Sequence, residues 1–146
     1  MVDLKADPTA SRRWIGVDLD GILVHDCTTP DQVWTIGAPI PRMIDKVKQW
    51  LADGIDVRIF TARVGCCGET STIATDDQAF VDYQRRLIAD WCVETFGRVL
   101  PVTATKDFQM IRYYDDRGIQ MVTNTGESIA ERYDALLQQI RDLLAV

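Results

Sequence analysis

Three short, largely apolar runs in this chain each stop on a polar residue able to do chemistry. Trp14-Ile15-Gly16-Val17 runs into Asp18, Val57-Arg58-Ile59-Phe60 into Thr61, and Met110 to Tyr114 into Asp115 and Asp116. Short apolar runs bounded by turn residues read as buried strands. The stretches between them have helical spacing. A helix is expected from near Pro41, since proline suits the first helical turn, with Ile44, Val47 and Leu51 on one face and Gly54 as its stop. A second is expected from an Asp76 cap to about Phe96, with Phe80, Leu87, Ile88, Trp91 and Cys92 on its apolar side and Gly97 ending it. Val99 to Val102 reads as a weak strand and Ile119 to Val122 as a fifth. A last helix, opened by Thr125 and Gly126, carries Ile129, Tyr133, Leu136, Ile140 and Leu143 on one stripe. Strands alternating with helices define an α/β fold, a Rossmann-like domain with a mostly parallel central sheet flanked by helices. In such sheets ligands bind beyond the carboxyl ends of the strands, so Asp18, Thr61 and Asp115 are expected to meet in one crevice although they are far apart in sequence.

The chain has 146 residues, which suits a single domain over residues 1–146. That length buries a core without a disulfide or zinc staple. The first dozen residues are polar, contain Pro8 and read as a loose arm. Residues 19–40 and 62–76 read as loops. No stretch is long and apolar enough for a membrane span, and the first residues lack the apolar segment of a secretory signal, so a soluble cytoplasmic protein is expected. Sixteen basic against 22 acidic residues leave a net charge of −6. That disfavours a nucleic-acid partner, whose binding draws on Lys and Arg. The cysteines, Cys27, Cys66, Cys67 and Cys92, contain no C-x-x-C pair, and His25 is the sole histidine. Reduced thiols, with Cys92 in a helix core, account for them better than a zinc site.

Four elements carry chemistry. In Asp18-Leu19-Asp20-Gly21, residues two apart on an extended chain point the same way, so two carboxylates face one site and call for a cation or a shared proton. A hard dication with oxygen ligands, such as Mg²⁺, suits them. Read blandly, the same residues are a turn. In Ile59-Phe60-Thr61-Ala62-Arg63, the Thr61 hydroxyl can meet an anionic oxygen or merely satisfy backbone groups. Arg63 can clamp a substrate phosphate or be a solvated arginine. Lys106 can neutralise a phosphoryl group or be an ordinary surface lysine. In Tyr113-Tyr114-Asp115-Asp116, a second acidic pair completes an oxygen cage or forms a turn with Arg117-Gly118.

In that order the four elements resemble the haloacid dehalogenase-like (HAD) superfamily of phosphatases, and within it small, nearly capless members of phage and bacterial type. The resemblance rests on GVDLDGIL, RIFTAR, Lys106 and YYDD, which span residues 16 to 116. It implies a Mg²⁺-dependent phosphohydrolase with Asp18 as nucleophile and Asp20 as general acid and base. Thr61 and Lys106 would hold phosphoryl oxygens, and Asp18, Asp20 (through its carbonyl), Asp115 and Asp116 would bind the metal. The family usually has threonine where this chain has Ile22. The segment after the first motif, with His25, Asp26 and Trp34, is too short for a cap domain. The implied partner is a small phosphorylated substrate, a nucleotide among the candidates, with homo-oligomerisation open. Alternatives are a nucleotidase or nucleic-acid end phosphatase, a phosphoryl transferase, and a catalytically decayed binding protein that kept the fold. A receiver domain uses the same residue types in a different order.

Overall fold

The computed structural model describes residues 13–26, 35–65 and 78–145. The expected N-terminal arm, the Asp76 cap, Trp34, Cys27, Cys66 and Cys67 lie outside the described residues. The chain divides into two compact units, Met1–Asp116 and Arg117–Val146.

The first unit is built on a four-stranded sheet. β1 (Trp14–Val17), β2 (Asp56–Phe60), β3 (Val102–Thr103) and β4 (Met110–Tyr114) lie in the order β3-β2-β1-β4. Every pairing is parallel, so the fold is α/β and Rossmann-like. All four residues of β1 are buried. It lies between β2 and β4 and needs apolar side chains on both faces, which explains an unbroken apolar run in place of alternation. β2 alternates half-buried and buried positions, with Val57 and Ile59 as the buried pair. β4 is an edge strand, and its central residues Ile111, Arg112 and Tyr113 are exposed.

One face of the sheet carries the main core. Ile15, Val17, Leu19, Val57 and Ile59 pack with Ile44 and Val47 of α1 (Pro41–Ala52) and with Val81, Ile88, Trp91 and Cys92 of α2 (Gln78–Phe96). Pro41 stands in the first turn of α1 as expected, with no side-chain cap. Cys92 is a free, fully buried thiol, and burial pushes its pKa up.

The other face is organised around a missing side chain. Gly16 pairs with Arg58 on one side and Tyr113 on the other. A Cβ on it would come within 3.2 Å of Met110 Sδ and of the Trp14 ring, and 3.3 Å from Phe60 Cβ. The bare backbone lets Phe60 and Tyr113 meet across β1, edge to face at 4.7 Å between centroids. Trp14 is fully buried, and its indole N–H donates to Asp107 at 2.8 Å. The Arg58 guanidinium lies 4.7 Å from the Trp14 ring and pairs with Asp56 at 3.1 Å.

In the second unit Ile119–Val122 is not a strand. Met121 forms an isolated bridge to Ser128, and the Val122 N–H donates to the Glu127 carbonyl. A turn through Asn124, at φ 63, folds this stretch back on itself, so its apolar residues serve a hairpin-like turn. The last helix, α3 (Ile129–Leu144), starts later than Thr125-Gly126 suggested. Ser128 and Glu131 form a reciprocal capping box, a stronger start signal than Thr125.

Ile59 is fully buried whereas Ile111 on the edge strand is 51% exposed. Ile59→Ala is expected to cost about 3 kcal/mol, and Ile111→Ala about 0.5 kcal/mol. Urea unfolding of the two variants beside the native protein measures the difference.

Candidate metal and phosphoryl site

The strand order places the site. β1 feeds β2 on one side and adjoins β4 on the other, so the chain reverses direction across the sheet between β1 and β4. A crevice opens beyond the carboxyl ends at such a point. Asp18 leaves the end of β1, and its N–H donates to the Tyr114 carbonyl at 2.9 Å. That bond carries the β1–β4 pairing one step past the strand and sets Asp18 beside Asp115. Oxygens of Asp18, Asp115 and Asp116 lie within 4.8 Å of one another.

The turn after Asp18 is held by its own backbone. The N–H groups of Leu23 and Val24 donate to the Leu19 carbonyl at 2.9 and 3.0 Å, and the Gly21 N–H to Val24 at 2.8 Å. Leu19, Leu23 and Val24 are buried and anchor the turn in the core, with Ile22 packed against it. Ile22 therefore has a packing role. Gly21 sits at φ +85, and a Cβ there would lie 2.7 Å from Asp116 Oδ2. The position needs glycine twice over, for the left-handed backbone and for the approach of Asp116.

Asp18 is half-buried, and its proton affinity is raised to a pKa of about 6. Burial is the main cause, and Asp115, Asp20 and Asp116 add repulsion. The Leu19 N–H, donating to Asp18 Oδ1 at 2.7 Å, opposes the shift. The Tyr113 phenol is pushed up to about 12 by burial and by Asp18, Asp115 and Asp116, which puts its hydroxyl in the field of the cluster. Tyr113 is not among the residues that the sequence singles out for the site. The available signal was period two, since Tyr113 and Asp115 share one side of an extended chain.

Asp20 faces a different partner. Arg63 Nε donates to its Oδ2 at 2.7 Å and Nη2 to its Oδ1 at 2.8 Å. The same guanidinium donates from Nη1 to Gln84 Oε1 on α2 at 3.1 Å. Thr61, 3% exposed, caps a short 3-10 turn, Ala62–Val64, by accepting from the Arg63 N–H at 3.2 Å. That leaves the hydroxyl hydrogen of Thr61 as a donor. Lys106 is exposed between β3 and β4 and has no ion pair among the described residues. The structure thus gathers Asp18, Asp20, Asp115 and Asp116 at one place, with Arg63 on Asp20 and Thr61 on the backbone of Arg63.

Three carboxylates this close together could hold a cation. Six-coordinate ligands at about 2.1 Å from an ion stand about 3 Å apart when adjacent and about 4 Å when opposite. The Asp18, Asp115 and Asp116 oxygens, all within 4.8 Å of one another, are near enough that they could share one ion. Their all-oxygen character suits a hard ion such as Mg²⁺ or Mn²⁺ over a thiophilic one.

No protein-family model matches the chain, and no curated protein matches it. A solved structure of a conserved protein from Bacteroides thetaiotaomicron is similar over 91% of this chain and 98% of its own. The identity is 17% and the TM-score 0.47. A likeness at that level carries no weight for fold or chemistry, and both rest on the geometry of the chain itself. No helix among the described residues is long and apolar enough to cross a membrane.

Two outcomes are expected. In metal-free protein the folded state keeps a proton on Asp18 that the unfolded chain, with a pKa of 3.8, has already released. Stability therefore falls as pH rises from about 4 to about 6 and is level beyond. Asp18→Asn removes that penalty, so its melting temperature should exceed the native value at pH 8 and the gain should vanish below pH 4. Gly21→Ala should lose at least about 1–2 kcal/mol from backbone strain alone and weaken binding of divalent metal by displacing Asp116, measured by calorimetric titration.

Proposed function

We propose that the protein is a Mg²⁺-dependent phosphohydrolase of the haloacid dehalogenase-like type, with a transient phosphoryl group on Asp18. The observation that supports it most is the meeting of Asp18 with Asp115 and Asp116 at the reversal of strand order, with Asp20 two residues further along the same turn. Repelling carboxylates beyond the ends of parallel strands are suited to a divalent ion and to a phosphate monoester.

In this reading an Asp18 carboxylate oxygen attacks phosphorus opposite the leaving oxygen. A new O–P bond forms, the bond to the leaving group breaks, and the leaving oxygen takes a proton from Asp20. Asp20 then accepts a proton from water as that water attacks phosphorus and releases the Asp18 carboxylate. The second displacement restores both side chains. Thr61 donates its hydroxyl to a phosphoryl oxygen. Lys106 neutralises charge on the phosphoryl group. Asp18, Asp115 and Asp116 would hold the metal, with the Asp20 carbonyl as a further ligand. Bound there, it would supply positive charge that offsets the phosphate dianion against the anionic nucleophile. The substrate is a small phosphorylated molecule, and the net charge of −6 favours a mononucleotide or sugar phosphate over a nucleic-acid polymer.

Hydrolysis of an aryl phosphate is the test. Activity should require added Mg²⁺, and Asp18→Asn should lower it by at least about 1,000-fold, as removal of an essential nucleophile does. Saturating Mg²⁺ should raise the melting temperature of the native protein, and Asp115→Asn should lose most of that rise. Metal stabilisation without turnover on any monoester would support the alternative of a binding protein that kept the fold.

A further inference from the structure

Arg63 stands where an arginine could clamp a substrate phosphate, yet its guanidinium is otherwise engaged. It is 8% exposed. Its fork meets both oxygens of Asp20, at 2.7 and 2.8 Å, and its remaining arm meets Gln84, which is fully buried on α2. The 3-10 turn that carries Arg63 is capped by Thr61, so the backbone of Arg63 is fixed at its first residue. Side-chain exposure in the pair is 6% for Arg63 and 13% for Asp20. An exposed ion pair contributes little, whereas a bidentate, nearly buried one fixes geometry.

On the phosphatase reading above, we infer that Arg63 is a positioning residue for Asp20, and that Gln84 anchors it to α2, so that it acts through Asp20 and does not bind substrate. Three fixed points hold the Asp20 carboxyl: its own turn on β1, the Arg63 fork after β2, and through that fork the Gln84 side chain. Each Asp20 oxygen accepts one hydrogen bond from the fork and keeps a second lone pair. Those lone pairs are what remain for the proton exchanged with the leaving oxygen and then with water. A proton-transfer group must be within hydrogen-bond reach of its target, and a misplacement of an ångström is costly. Glu or Asp on a free rotamer would not meet that demand, and the brace supplies the constraint.

The test compares native protein, Asp20→Asn, Arg63→Met and the double variant on two probes with Mg²⁺. Glycerol phosphate has a poor leaving group and needs the proton. A dinitrophenyl phosphate has a good one and does not. On glycerol phosphate Arg63→Met should lose about 100-fold in kcat/KM, with KM changed less than about threefold and a much smaller loss in kcat/KM on the dinitrophenyl ester. In the Asp20→Asn background Arg63→Met should add nothing, because two residues acting as one step are not additive. Gln84→Leu, which leaves both charged partners in place, should show the same leaving-group pattern more weakly and covers the case in which Arg63→Met does not fold. A rise in KM of tenfold or more on both probes, with losses that multiply in the double variant, would make Arg63 a substrate clamp and overturn the inference. Turnover of neither probe by folded native protein would instead sink the phosphatase reading. The brace is then judged by calorimetric titration with inorganic phosphate and Mg²⁺. Unchanged affinity in Arg63→Met supports it, while affinity lost in that variant, or absent from the native protein, overturns it.

Discussion

The parallel pairing of β1 with both β2 and β4 is the constraint on which the rest depends. It makes three strand ends coincide, and it does so with a strand buried at every residue. Parallel pairing runs all carboxyl ends to the same edge, so residues separated by almost a hundred positions become neighbours without a direct sequence signal between them. Asp18 and Asp115 meet for this reason. The same pairing demands Gly16, because a Cβ there would meet Met110 Sδ, the Trp14 ring and Phe60 Cβ at little more than 3 Å.

Against this geometric gain stands an electrostatic cost. Asp18, Asp20, Asp115 and Asp116 share a corner that is half-buried except at the exposed Asp116, and the Arg63 guanidinium there is paired with Asp20. The remaining repulsion is visible in Asp18, whose carboxyl holds its proton to a pKa of about 6. Functional sites commonly store such unfavourable pairings, and the surrounding core keeps them in place. Here that core is Leu19, Leu23 and Val24, which tether the turn that carries Asp20 and Gly21.

Much of this arrangement was legible in the sequence. The runs ending at Asp18, Thr61 and Asp115 are strands, Pro41 begins a helix, and α2 ends at Phe96 before Gly97. These features are local and strongly patterned. What escaped was non-local or subtle. Ile119–Val122 has the composition of a strand, but a turn at Asn124 folds it onto Ser128. The weak strand expected from Val99 shrinks to Val102–Thr103 because only those residues pair with β2. Nothing in the neighbours of Gln84 along the chain indicates that its amide meets Arg63. Tyr113 has Asp115 as its period-two partner, but that spacing alone does not mark a tyrosine as part of the site. The pairing of Arg63 with Asp20 needs two loops from two different strands, which periodicity does not report.

β4 is an edge strand and bears Asp115 and Asp116 at its end, while Asp18 hangs from the buried centre. Edge strands open more readily than central ones, because one side of their backbone has no partner. An ion held between Asp18 and Asp115 would therefore also fasten the rim of the sheet to its middle. With such an ion, the carboxylate cluster and the local breathing of the sheet would become one equilibrium, in which loosening the rim would release the ion and binding the ion would quiet the rim.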